Sequence, residues 1–128
     1  MAYDENNIFA RIIRGEIPCN KVCESAHTLA FADINPQAPV HVLVIPKGHY
    51  LNHEDFAARA SDAEIADFHR TVLNAARETG VAEEKGGNGY RLITNSGSDA
   101  HQEVPHYHVH IVGGAPVGRM LQRRSDRN

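Results

Sequence analysis

The sequence predicts an α+β fold: an antiparallel five-stranded sheet served by one long and one short helix. Apolar or alternating runs rich in β-branched residues fall toward both ends of the chain, at 21–24, 28–33, 40–45, 90–95 and 105–112, each bounded by turn formers. One long amphipathic pattern lies between the two groups. Only that connection has the length of a helix crossover, so neighbouring strands are expected to run antiparallel, not as a doubly wound parallel sheet.

Taken in order, Asn6 and Asn7 can cap a short helix that puts Ile8, Phe9, Ile12 and Ile13 on one face. Gly15 and Pro18 end it. Two short strands follow at Lys21–Glu24 and Thr28–Asp33, joined by a tight turn. Pro36 and Pro39 deny ladder donors to the next segment, which must be loop. Val40–Ile45 is apolar on both faces and reads as a central strand, turned out by Pro46-Lys47-Gly48. The long helix begins at Ser61-Asp62-Ala63-Glu64, a capping box in which Ser61 and Glu64 satisfy each other's amides. Its buried stripe is Ile65, Phe68, Val72, Leu73 and Ala76, and Gly80 stops it. Tyr90–Asn95 and Pro105–Val112 are the last two strands, joined by the loop Ser96–Val104.

At 128 residues the chain fits one domain, read as 1–128 with a basic tail over 118–128. An apolar content of 41% and a charged content of 23% belong to a globular protein and exclude disorder. The net charge of −3 argues against nucleic acid as a partner, because backbone binding needs a concentrated positive field. Val42-Leu43-Val44-Ile45 is the longest aliphatic run, far short of the roughly 20 residues that span a bilayer, so no membrane partner is expected. Cys19 and Cys23, spaced C-x3-C without a second pair, read as reduced thiols of a cytoplasmic protein.

Nine histidines outnumber the four Phe and four Tyr together, and His106, His108 and His110 stand at alternate positions of one strand. Alternation points all three imidazoles one way and Tyr107, Val109 and Ile111 the other. Three readings are open. The row can be a set of hydrogen-bonded surface histidines. It can hold a metal, with a third ligand from His41, His49 or His101. Residues four apart are about 13 Å apart on a strand, however, against a Zn–N bond of about 2.0–2.1 Å. It can also serve nucleophilic catalysis on phosphorus, since an imidazole held protonated at one nitrogen is nucleophilic at the other. The loop from Asn95 to Gln102, rich in small and amide residues, can supply phosphate contacts beside it.

His106-Tyr107-His108-Val109-His110-Ile111-Val112 resembles the His-φ-His-φ-His-φ-φ signature of the histidine-triad (HIT) family, and the likeness is nearest to its bacterial Hint-like branch. It extends over Ile8–Pro18, Phe31–Lys47, Gly89–Leu92, Gln102–Val104 and Gly113-Gly114. The resemblance implies a homodimeric nucleotide hydrolase or transferase whose sheet continues across the dimer. It is similar to purine nucleoside phosphoramidases, which split the P–N bond of adenosine 5′-phosphoramidates or of AMP joined to lysine. By resemblance, His108 is the nucleophile that carries AMP. His110 contacts the α-phosphate, His106 orients His108 through its main-chain carbonyl, and His41 supports the site. Asp33 with Ile34 meets the ribose; Phe9, Ile12, Ile17 and Phe31 form the base wall; Asn95 and Gln102 lie on the phosphate side. His49 aligns with a family histidine of the proton relay, whereas His53 and His69 read as solvated.

Two departures stand out. Many members carry Ser or Thr at Glu103, although bacterial Hint-like proteins allow Glu, and a Gly usually stands at His101. Both positions bear on the leaving group. Zinc-binding members carry an N-terminal C-x-x-C that Asn7-Ile8-Phe9-Ala10 lacks, so neither metal nor other cofactor is expected. The alternatives are a dinucleoside polyphosphate hydrolase like the Fhit branch and a nucleotide-binding scaffold with incidental turnover.

Overall fold

The computed structural model describes residues 2–121; Arg123, Arg124 and Arg127 of the basic tail lie outside the described residues. Five strands, β1 (Lys21–Glu24), β2 (Thr28–Ala32), β3 (Val40–Pro46), β4 (Tyr90–Ile93) and β5 (Val109–Gly113), form one sheet in the order β1-β2-β3-β5-β4. Every neighbouring pair is antiparallel. Helices are α1 (Ile8–Ile13), α2 (His53–Arg59) and α3 (Asp62–Glu78).

The central strands β2 and β3 are buried on both faces, which explains the unbroken apolar run of β3. Ala30, Val42, Val44, Val109 and Ile111 face α3, where they pack with Phe68, Val72 and Ala76. Leu29, Phe31, Leu43 and Ile45 face the other way, toward Phe9, Ile12 and Ile13 of α1. The second layer is thin, because α1 is six residues long. It covers part of its face and leaves room beside it.

Local signals set the helix ends. The Asn7 side chain accepts from the Ala10 amide at 2.9 Å and starts α1. Ser61 and Glu64 form the expected capping box of α3, and Gly80 follows its end at φ +79°. Cys19 packs on the α1 side of the sheet and Cys23 on the α3 side, and both are free thiols.

Two expectations need correction. Strand pairing of β5 begins only at Val109, not at Pro105. The segment before it is fixed by other bonds: the Tyr107 amide donates to the Tyr50 carbonyl at 2.7 Å, and the His106 amide to the Val104 carbonyl. A second short helix, α2, also went unpredicted. It buries a single anchor, Phe56, so it shows no periodic stripe; its only sequence signal is the Asn52 cap, which accepts from the Asp55 amide.

Candidate active site

The α1 face of the sheet carries the site. In β5, Val109 and Ile111 are turned to α3, so His108 and His110 must face α1. β3 obeys the same rule: Leu43 pairs with His110 and His41 with Val112, which sets His41 diagonally beside His110 on that face. Asp33 follows β2, and its amide donates to the His41 carbonyl at 2.9 Å, one rung beyond the ladder. A cleft of about 450 Å³ opens there, lined by Phe9, Ile12, Ile17 and Phe31 on its apolar side. Asp33, Ile34, Asn95, His101, Glu103, His108 and His110 line the rest.

Hydrogen bonds fix the protons on the imidazoles. His108 Nδ1 lies 2.7 Å from the His106 carbonyl, which can only accept, so Nδ1 carries the hydrogen and Nε2 is the free base. His106 donates from Nε2 to the Pro46 carbonyl at 2.8 Å, leaving Nδ1 to accept from the Tyr3 hydroxyl at 2.5 Å. The Gln37 amide donates to His41 Nδ1 at 3.0 Å, which places the His41 hydrogen on Nε2. From there it faces His110 Nδ1 at 2.9 Å, so the His110 hydrogen sits on Nε2. The site therefore holds an acceptor, His108 Nε2, and a donor, His110 Nε2, with ring centroids 5.1 Å apart.

Burial keeps the rings of His106, His108 and His110 neutral. It pushes His106 and His110 down to about 4, with the neighbouring imidazoles adding to the effect for His110 and the Pro46 carbonyl opposing it for His106. His108 is also lowered by burial, against the opposing pull of the His106 carbonyl and the charges of Asp33 and Glu103. A lowered value leaves the base uncharged at neutral pH.

Asp33, His41 and His110 offer ligand atoms within 4.8 Å of one another. The same atoms are joined already, His41 Nε2 facing both His110 Nδ1 and, at 3.4 Å, Asp33 Oδ2. An ion here would have to displace the His41 proton. His49 and His101 stand outside this group.

Sequence reasoning put Gln102 on the phosphate side; instead its amide braces the loop. Gln102 Oε1 accepts from the Gly97 amide, and Nε2 donates to the carbonyls of Leu51 and Val104. Asp33 combines a turn role with its place in the cleft, its Oδ1 accepting from the Asn35 amide at 2.8 Å. His49 is exposed and stacks on Tyr3 at 4.5 Å between centroids. Tyr3 itself was missed: nothing local marks an isolated aromatic whose partner lies 103 residues away.

The HIT domain model matches residues 14–117. The chain belongs to the HIT family. It is 57% identical over 121 residues to an uncharacterised HIT-like protein of Azospirillum brasilense, covering 94% of this chain and 96% of that one. It is 39% identical over 120 residues to the purine nucleoside phosphoramidase of Escherichia coli K12, covering 94% and 97% respectively. Among solved structures, a HIT family hydrolase from Clostridium thermocellum superposes with a TM-score of 0.82 at 40% identity, over 92% of this chain and 99% of that one. These likenesses make the chain a HIT-family hydrolase.

Proposed function

We propose that this HIT protein hydrolyses adenosine, or more generally purine, 5′-phosphoramidates such as AMP-lysine through a nucleotidyl-histidine intermediate. One observation carries the reading: His108 has its Nδ1 proton held by the His106 carbonyl and its Nε2 unprotonated in a cleft with an apolar wall. His108 Nε2 attacks the α-phosphorus as the P–N bond breaks, and the electron pair leaves with the amine, which takes up a proton from solvent. The Nδ1–H bond to the carbonyl stabilises the positive charge of the phosphorylated ring. Water then attacks phosphorus and releases a proton to solvent, the Nε2–P bond breaks with its electron pair on nitrogen, and AMP departs from a His108 that is neutral again. His110 Nε2–H donates to a phosphate oxygen as charge develops. The base lies against Phe9, Ile12, Ile17 and Phe31, and the ribose hydroxyls donate to Asp33. The mechanism uses no metal.

Acid quenching during turnover tests the covalent step, and AMP should be recovered on His108 through an acid-labile bond. His108→Ala should abolish kcat while AMP affinity falls only modestly; His110→Ala should leave a slow enzyme. Direct attack by water with inversion at phosphorus would overturn the reading. Assay of AMP-lysine beside diadenosine polyphosphates separates it from the Fhit-like alternative.

The working molecule in this reading is a cytoplasmic homodimer joined along β4. Of the two sheet edges, β1 carries Lys21 and Glu24 and a register shift between Lys21 and Cys23, both devices that protect an edge. The other edge, β4, exposes Tyr90, Leu92 and Ile93. A hollow of about 860 Å³ containing Gly87, Tyr90 and Pro116 but no histidine lies beside it. In this reading that edge receives the second copy.

A further inference from the structure

The walls of the cleft are polar in an unbalanced way. Among the described residues that line it are two carboxylates, Asp33 and Glu103, and no lysine or arginine. A phosphate site without a permanent cation is poorly suited to a leaving group that brings further negative charge, since polyanions are normally met by Arg or Lys. Asp33 is held beside His41 and in its own turn with Asn35. Glu103 is not committed in that way. Its carboxylate is exposed, and among the described residues its one close charged partner is the exposed imidazole of His101, 3.2 Å away.

The backbone presents this pair deliberately. His101 sits at φ +57°, the only non-glycine in the left-handed region among the described residues. That conformation normally selects glycine, and a side chain kept there despite the strain is a pointer to function. Between His101 and Glu103, the three hydrogen bonds of Gln102 lock the loop to Gly97, Leu51 and Val104. The inward turn of Gln102 leaves its two neighbours on the cleft wall.

We infer that Glu103, positioned by His101, is a specificity-determining residue that selects leaving groups bearing a positive charge and rejects anionic ones. The inference rests on the phosphoramidate reading above. With the base on the apolar wall, the ribose at Asp33 and the phosphate at His108 and His110, the remaining wall is the loop that carries Glu103. An ammonium-bearing amine departs past a carboxylate; a carboxylate-bearing amine or a second nucleotide phosphate departs against it. Two unit charges about 4 Å apart interact by about 1 kcal/mol even in bulk water, and more at lower dielectric, which corresponds to at least about fivefold in rate per partner.

Three AMP conjugates of equal length test it: those of cadaverine, hexylamine and aminocaproate, which end in a cation, a methyl group and an anion. With the full-length protein, kcat/KM should fall in that order, with at least about a tenfold span from first to last at low ionic strength. Glu103→Gln should bring the span to within about twofold, and Glu103→Lys should reverse the order. Raising salt to about 0.5 M should compress the wild-type span, which a purely structural role for Glu103 would not do. If the wild type turns over all three equally, or if Glu103→Gln keeps the order, the inference fails while the functional reading stands. If none of the three is cleaved, both fail.

Discussion

At the scale of single residues, the site is a problem in proton placement. His108, His106 and His41 are told which nitrogen carries the hydrogen by partners that can act in one way only, the carbonyls of His106 and Pro46 and the amide of Gln37, and His41 passes the choice to His110. The arrangement depends on Tyr3 at the far end, whose hydroxyl is the donor to His106 Nδ1. Removing it strands an acceptor on a ring that is wholly buried. Tyr3→Phe should therefore cost about 1–3 kcal/mol of stability. It should also lower kcat more than it changes KM, because the His106 carbonyl that orients His108 loses its brace. An unchanged melting temperature together with an unchanged kcat would show the contact to be idle. The outer-pair spacing of the histidine row and the missing N-terminal C-x-x-C predict a metal-independent reaction, so prolonged chelation should leave turnover as it was; activity lost to chelator and restored by zinc would contradict this view.

At the scale of elements, what was legible in the sequence was what depends on near neighbours. Strand alternation placed His108 and His110 on one face with Val109 and Ile111 on the other, and the Ser61/Glu64 box marked the start of α3. Illegible features were those whose partners are distant along the chain. The unpaired stretch before Val109, the α2 helix held by Phe56 alone, and the inward turn of Gln102 are all settled by tertiary contacts. Most of the cleft residues came from likeness to a family; periodicity alone would have left Phe9 and Ile12 as core. The C-terminal segment shows the same division. Met120 and Leu121 stand exposed on the single chain, while the Arg91 guanidinium donates to the carbonyls of Gly118 and Arg119. That anchor ties the segment to the edge strand β4. Deleting residues 118–128 should change the relative kcat/KM among leaving groups. Identical kinetics on several substrates would mean that the segment is only solvated.

At the scale of the whole molecule, the buried histidines couple the site to stability. An imidazole in the unfolded chain titrates near 6.5, whereas His106 and His110 in the fold are pushed down to about 4. Between those values the unfolded chain binds protons that the native state refuses, so stability must fall as pH falls through this window. Above pH 6.5 the two states agree on these groups and the penalty vanishes. For His106, which is wholly inaccessible, the full span corresponds to about 3 kcal/mol. That is a large share of the roughly 5–15 kcal/mol that holds an ordinary domain together. Carboxylates held low by cationic partners, such as Glu24 at about 2 beside Lys21 and Lys47, add their loss only at more acid pH. Urea unfolding should therefore show a midpoint that is flat at pH 7–8 and drops steadily from about pH 6 toward pH 4.5. His106→Gln, with no titrating ring at that position, should start less stable but show a shallower decline, by up to about one proton in linkage slope. A midpoint that stays level down to pH 5 in the unsubstituted protein would mean that the rings titrate in the fold much as they do in water.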